Sequence, residues 1–229
     1  MKATRPDGLG TEATEREAMQ LALREAWDRQ VERISAALPD DLKAMPDLVA
    51  AYDMPAETAA LAPIIQGHMQ RLAEIGAWDV LALWNPESDG WGPEMIEAWI
   101  ARAAETNAAR WSTAVHDCLI EAVRDTENMG DRLRAFLASN ALIIALGVAF
   151  ATEALSFGSH DAAVKSGLGT KTWRTTSKSP RRSHAALNGE TVRIDDIFSN
   201  GLRWPGDHFG TAADNANCSC RLDYGRGDL

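Results

Sequence analysis

The chain has 229 residues, 45% of them hydrophobic and 24% charged, which is enough to bury a core as one or two globular domains. Its formal net charge is −10, yet residues 165–229 hold 10 basic and 7 acidic residues, so the acidic charge lies in the rest of the chain. This balance argues against a dedicated nucleic-acid-binding protein. Three cysteines make no disulfide framework, so we expect a reducing compartment, and the polar first ten residues are unlike a secretory leader.

Two amphipathic helices are predicted after a flexible arm over residues 1–10. The first has a capping box at Thr14–Glu17 and ends at Pro39, and the second begins near Pro55, with a first turn that Pro63 weakens. Each presents one apolar face at helical spacing. The positions on these faces are Leu23, Trp27, Val31, Ile34 and Leu38, and then Leu61, Ile64, Ile65, Met69, Leu72 and Ile75.

Two further helices follow a break at residues 85–92, which read NPESDGWG. After Pro93, a stripe from Ile96 to Arg124 predicts a helix on the order of 45 Å long, which indicates a bundle arm or a docking surface. The last helix is predicted from Asp131 through Ala151 and on towards Lys165. Its run ALIIALGVAFA is shorter than the roughly 20 residues of a membrane span, so we expect a buried helix and no membrane association.

The eight tryptophans include two groups in the helical region. One group lies on helical stripes and is expected in the core, whereas the other surrounds the break at residues 85–92 and could anchor a partner or form a satellite core. The first group is Trp27, Trp99 and Trp111, and the second is Trp78, Trp84 and Trp91.

Short strands and tight turns are predicted from residue 167 onwards. The elements are a strand over Thr170–Thr176, a helix over Ser179–Leu187 capped by Ser179, and strands over Thr191–Ile194 and Cys218–Tyr224. The turn glycines Gly189 and Gly201 are expected to hold positive φ. The sequence therefore predicts a mostly α protein, with an elongated helical domain over residues 11–166 and a small C-terminal α+β module over residues 167–229.

The motifs of this module occur in a fixed order. They are Lys171-Thr-Trp173, Arg182-Ser183-His184, Leu187-Asn188-Gly189, Asp195-Asp196-x-Phe198, Asn200-Gly201, Pro205-Gly206-Asp207 and Asn217-Cys218-x-Cys220. In this order they resemble the C-terminal region of the Mu F-like minor head proteins of tailed bacteriophages, the phage head morphogenesis family. The resemblance covers residues 171–224 and none of the first 125.

The resemblance implies a non-catalytic virion protein, a minor capsid or head morphogenesis protein that binds the portal protein or other head proteins during assembly. Such a protein is made in the host cytoplasm and ends in the capsid interior or at the portal vertex. We expect the long acidic helices to dock and the module to act as a rigid anchoring head. Its structural anchors are expected to be Trp173, His184, Asn188, Gly189, Phe198, Pro205, Gly206 and Asp207.

The sequence departs from the family in the helix that precedes the module. Members of the family carry an Ala-Arg-Thr-Glu-like stretch there, whereas residues 146–151 of this chain read LGVAFA. Any polar contacts that the stretch makes in the family are therefore not expected in this chain.

Three side chains of the module are of the types that bind zinc: His184, Cys218 and Cys220, with His208 as a candidate fourth ligand. The alternative is that His184 hydrogen-bonds within its turn and the cysteines pack as small apolar residues. A nucleophilic cysteine with His184 and Asp207 can also be drawn. Because such residues more often hold loops together, we expect no enzymatic activity and no cofactor, with zinc as the alternative.

Two charged groups of the module have further interpretations. Asp195 and Asp196 could act as paired carboxylates or cap a turn before Phe198. Four basic side chains could contact DNA phosphates, although such a group is usually a solvated surface: Arg174, Lys178, Arg181 and Arg182. The alternative functions are therefore a DNA-contacting internal head protein and a zinc-stabilised module or enzyme.

Overall fold

The computed structural model describes residues 8–38, 49–50, 52–85, 87, 92, 96–125 and 127–227. The elements of the described part of the chain begin with five helices: α1 (Glu12–Ala36), α2 (Met54–Trp84), α3 (Glu97–Arg124), α4 (Met129–Ala138) and α5 (Ala141–Lys165). The elements that follow are β1 (Thr170–Arg174), α6 (Arg182–Leu187), β2 (Thr191–Arg193), α7 (Ala212–Asn215) and β3 (Arg221–Gly225). The predicted fold class, mostly α with a small C-terminal α+β module, is confirmed.

Helix α1 begins earlier than its sequence motif predicted. Thr11 is the N-cap residue, and its hydroxyl accepts a hydrogen bond from the amide of Thr14 at 3.2 Å. The Thr11 carbonyl also accepts from the amide of Glu15 at 3.0 Å, so Thr14 already lies in the first turn. The predicted capping box at Thr14–Glu17 is therefore wrong. Pro39, the predicted stop signal, lies outside the described residues.

Helix α2 is the central helix of the bundle, because it packs on α1, α3 and α5. It begins beside Pro55 as predicted, and the Asp53 carboxylate caps it by accepting from the amide of Ala56 at 3.0 Å. Pro63 lies inside the helix and does not end it. Most of the predicted apolar face is buried, namely Leu61, Ile65, Met69, Leu72 and Ile75, and Ile64 is half-buried.

Helices α2 and α5 cross in direct backbone contact. A Cβ atom added to Gly76 would lie 2.3 Å from the carbonyl oxygen of Leu155, and one added to Gly158 would lie 1.9 Å from that of Ala73. No side chain fits at either position, so glycine is required at both. The two glycines thereby set the distance between the longest helix and the most apolar one.

The single helix predicted from Asp131 towards Lys165 is two helices. Ser139 has extended backbone with a ψ of 138°, and its hydroxyl accepts from the amide of Ala141 at 3.2 Å. A serine that bonds nearby backbone competes with helical hydrogen bonding, which explains the break. Within the described ranges, α5 alone is long and apolar enough to cross a membrane, and 56% of its most apolar window is buried inside the protein.

Most of the tryptophans of the helical region pack in or against the main core. Trp27 and Trp111 are buried, and the ring of Trp99 stacks on Phe157 at a centroid distance of 3.6 Å. Trp78 and Trp84 are half-buried against this main core, so a separate satellite core is not confirmed. Trp91 and Pro93 lie outside the described residues, as does much of the break at residues 85–92.

Strand β1 is the centre of a three-stranded sheet and pairs antiparallel with β2 and β3. The register places Thr170 opposite Arg193 and Trp173 opposite Leu222. The module has an apolar cluster of its own, which consists of Trp173, Leu187, Phe198, Leu202, Cys218 and Cys220. Leu168 and Ile194 belong instead to the core of the helices, so the sheet sits directly on the bundle.

Two boundaries in the module differ from the predictions. Helix α6 begins at Arg182 and has no side-chain cap, whereas the amide of Ser179 donates to the hydroxyl of Ser177 at 3.1 Å. Ser179 precedes Pro180, and a residue before proline is disfavoured in helical conformation. Strand β3 begins at Arg221, so both cysteines of the Cys-x-Cys motif precede it.

Candidate functional site

The anchors of the module lie in its core and at its turns. Trp173 and Phe198 are buried with their rings edge to face at 5.2 Å. The side-chain carbonyl of Asn188 accepts from the amide of Thr175 at 3.0 Å, which ties the turn to the end of β1. Gly189 and Gly201 hold φ of 90° and 82°, so the predicted positive φ is confirmed at both.

A buried carboxylate joins the helices to the module. Glu153 of α5 is 1% exposed. One of its carboxylate oxygens accepts from Nδ2 of Asn107 at 2.8 Å, and the other accepts from the amide of His208 at 3.0 Å and lies 2.5 Å from its Nδ1. The guanidinium of Arg110 donates to the carbonyl of His208. Residues from α3, α5 and the loop before α7 therefore meet at one polar centre.

A second polar link lies one residue earlier on α5. The buried hydroxyl of Thr152 donates to the carbonyl of Cys218 at 2.6 Å, and the amide of Asn217 donates to the carbonyl of Ala145 at 3.2 Å. The doubtful contacts are those of the stretch over residues 146–151, whereas Thr152 and Glu153, which directly follow this stretch, supply polar contacts from the helix to the module. A Thr-Glu pair inside a buried helix is the sequence signal that could have identified both.

Asp207 organises the loop over residues 203–210. It is fully buried, and its carboxylate accepts from Nε and Nη2 of Arg203 at 2.8 and 2.7 Å, and from the amides of Arg203 and Phe209 at 3.0 and 3.1 Å. Burial alone would raise the pKa of this carboxyl, but these donors outweigh it and hold the pKa below its ordinary value of 3.8. Gly206 has a φ of 81°, and a Cβ there would lie 2.6 Å from the amide nitrogen of Glu153.

Acidification is expected to destabilise this loop through Asp207. Because folding lowers the pKa of the carboxyl, its contribution to stability is complete above about pH 5 and is lost as the pH falls through the folded-state pKa. Asp207→Asn should cost on the order of 2 kcal/mol at neutral pH and flatten the loss of stability below pH 5. Urea denaturation of both proteins at pH 7 and pH 3 measures this, and equal losses on acidification would contradict it.

Three of the predicted site residues meet in the module. Nδ1 of His184 lies 3.4 Å from Sγ of Cys220 and 3.7 Å from Sγ of Cys218, and all three side chains are buried. Donation by the Cys218 thiol lowers the pKa of Cys220 against the effect of burial, and this bond together with burial raises the pKa of Cys218. Trp173 packs edge-on against the imidazole at 5.5 Å.

Other predicted partners of this cluster lie elsewhere. His208 is bound to Glu153, so its prediction as a fourth metal ligand is wrong. Asp207 is held by Arg203 and does not orient His184. The predicted arrangement of a nucleophilic cysteine, His184 and Asp207 is therefore not formed. Asp195 and Asp196 are exposed in the turn after β2, and the nearer oxygen of Asp196 lies 3.6 Å from Nε of Arg193.

The four basic residues do not form one free surface. Arg174 pairs with Asp223 across β1 and β3 at 2.6 Å, and the guanidinium of Arg181 donates to the carbonyl of Ala216. Lys178 and Arg182 are exposed. A phosphate contact would therefore depend chiefly on these last two side chains.

A shallow pocket of about 500 Å³ opens above the His184, Cys218 and Cys220 cluster. Its rim consists of Ser177, Ser179, Pro180, Arg181, Asn217 and Ser219. The module thus combines a cluster of sulfur and nitrogen donors with access from solvent.

Comparison with known proteins adds no identification: no protein-family model matches the chain, and no curated protein or solved structure is significantly similar to it.

Proposed function

We propose that the protein is a non-catalytic minor head protein of a tailed bacteriophage, which binds the portal protein or the inner head during assembly. The observation that carries the proposal is the order of motifs over residues 171–224, which resembles the Mu F-like minor head proteins. On this proposal the protein is made in the host cytoplasm and becomes part of the virion, in the capsid interior or at the portal vertex.

The position of the motif residues supports a structural role over a catalytic one. Trp173 and Phe198 fill the core of the module, Gly189 and Gly201 form its turns, and Asp207 is saturated by internal donors. Residues that hold a module together leave no side chain among them to act on a substrate. A role in docking requires only that the module keep its shape.

The attachment of the module to the helices supports a rigid docking head. Glu153 and Thr152 of α5 hold the loop at His208 and the segment at Cys218, so the module cannot swing freely on the bundle. The acidic charge lies outside residues 165–229. An acidic helical body is suited to a basic protein surface and is repelled by DNA phosphates, which favours a protein partner.

Co-expression with the portal protein of the same phage tests the proposal. We expect co-elution at a defined ratio in size-exclusion chromatography with mass detection, and detection of the chain in purified virions by mass spectrometry. Arg182→Glu and Lys178→Glu should leave the complex intact, because they change only exposed side chains that would contact DNA. Separate elution, together with salt-sensitive DNA retention that both variants abolish, would replace the proposal with the DNA-contacting alternative.

A further inference from the structure

We infer that His184, Cys218 and Cys220 form a zinc-binding site with three protein ligands, whose fourth position faces the pocket beside Ser177 and Arg181. The site stands independently of the proposed docking function, because it rests on the geometry of the three side chains. Two thiolates and an imidazole are the donors that zinc prefers over magnesium and calcium, which take oxygen ligands.

The distances between the donor atoms match those that a zinc ion requires. With Zn–S bonds of about 2.3 Å and Zn–N bonds of about 2.0 Å, a tetrahedral ion holds sulfur and nitrogen about 3.5 Å apart. Nδ1 of His184 lies 3.4 and 3.7 Å from the two sulfurs, and all three donor atoms lie within 4.8 Å of one another. The two N–S distances therefore allow one ion to bind the imidazole and both sulfurs.

Hydrogen bonding is the alternative account of this arrangement. A neutral imidazole nitrogen that accepts has one lone pair and can take the proton of one thiol. Both sulfurs nevertheless approach the same nitrogen, at nearly equal distances. A single cation between them engages all three donors at once, whereas hydrogen bonds link them only in sequence, from the Cys218 thiol to Cys220 and from Cys220 to the imidazole.

The backbone explains how a tight Cys-x-Cys motif presents both sulfurs to one ion. Cys218 and Cys220 are buried and Ser219 between them is exposed, which is the alternation of an extended chain whose residues i and i+2 share a face. Asn217, a non-glycine residue with a φ of 55°, turns the chain immediately before Cys218. His184 reaches the same point from α6, so the ion would join α6 to the segment before β3.

The fourth position is open to solvent. The pocket of about 500 Å³ above the cluster is wide enough for a water molecule, which completes the tetrahedron in zinc sites that have three protein ligands. The three ligands are themselves 2% to 7% exposed, so they would hold the ion on its buried side, and solvent would reach it through the pocket.

Metal analysis of the untagged 229-residue chain, purified under reducing conditions and loaded with zinc alone, tests the inference. We expect about one zinc per chain that survives gel filtration, and a cobalt-substituted form whose absorption shows tetrahedral coordination with thiolate ligands. Cys218→Ser and Cys220→Ser should lose the metal. Cys118→Ser and His208→Gln are the matched controls, since they remove a cysteine and a histidine outside the cluster, and both should keep it.

The wild-type chain decides the outcome even if a ligand variant does not fold. Absence of zinc from folded, fully reduced wild-type protein after loading would overturn the site. So would a cobalt spectrum without thiolate features, or equal zinc content in folded Cys220→Ser and in the wild type. Loss of zinc from the Cys118→Ser control would show binding at another cysteine and would equally reject the assignment.

Discussion

Gly158→Ala is expected to lower the free energy of unfolding by about 3 kcal/mol or more. The added Cβ would lie 1.9 Å from the carbonyl oxygen of Ala73, 2.5 Å from its carbonyl carbon and 2.7 Å from its Cα. All three are backbone atoms, so no side chain can rotate away. The clash is relieved only if α5 separates from α2, which opens the apolar contact between them.

Gly67→Ala is the matched control, since it makes the same change inside α2 at an open position. The nearest atom to its Cβ would be Nη1 of Arg71, the end of a flexible side chain, at 3.8 Å. Alanine is the better helix former, so this variant should gain about 0.5 to 1 kcal/mol. Urea denaturation followed by circular dichroism compares the two, and a similar sign for both variants would show that the helices do not touch at Gly158.

Glu153→Ala is expected to destabilise the protein by about 3 kcal/mol. The substitution removes the acceptor for the amide of Asn107, for the backbone amide of His208 and for its imidazole. These donors would remain buried, and unsatisfied buried donors cost more than the bonds themselves contribute. Because His208 belongs to the module and Asn107 to α3, the loss should also loosen the attachment of the module to the bundle.

Glu121→Ala provides the comparison for this substitution. Glu121 is also a helical glutamate in an ion pair, with Arg124 at 2.5 Å, but its side chain is 62% exposed. Its replacement should change the free energy of unfolding by no more than about 0.5 kcal/mol, because solvent screens the pair. Limited trypsin digestion reports the attachment of the module, and cleavage around Arg203 should accelerate in Glu153→Ala alone. Equal stability and equal digestion of both variants would refute a special role for Glu153.

Local patterns in the sequence predicted the elements, and contacts distant in sequence decided their details. The helical period identified α2 and α3, because their buried faces repeat over many turns. The start of α1 was misplaced, because Thr11 and Thr14 are both good caps and the sequence alone does not rank them. The break at Ser139 was missed since it interrupts an otherwise favourable helical pattern.

The sequence likewise predicted one part of the candidate site and did not predict the other. Residue type and order grouped His184 with Cys218 and Cys220 correctly, because few side chains bind soft metals and these three lie in one small module. Glu153 was not identified. Its partners Asn107 and His208 are 46 and 55 residues away, and nothing in its neighbouring sequence indicates them. Only the packing of α5 between α3 and the module brings the three together.

The links from α5 to the module impose an order on folding during translation. Helix α5 leaves the ribosome before the segments at His208 and Cys218 that bind its Glu153 and Thr152. The nascent chain therefore carries an apolar helix with a carboxylate that has not yet met its partner, and burial of that carboxylate must wait for the later residues. The module, which is made after the helices, thus adds Leu168 and Ile194 to their core and supplies the donors for Glu153, so the two parts stabilise each other.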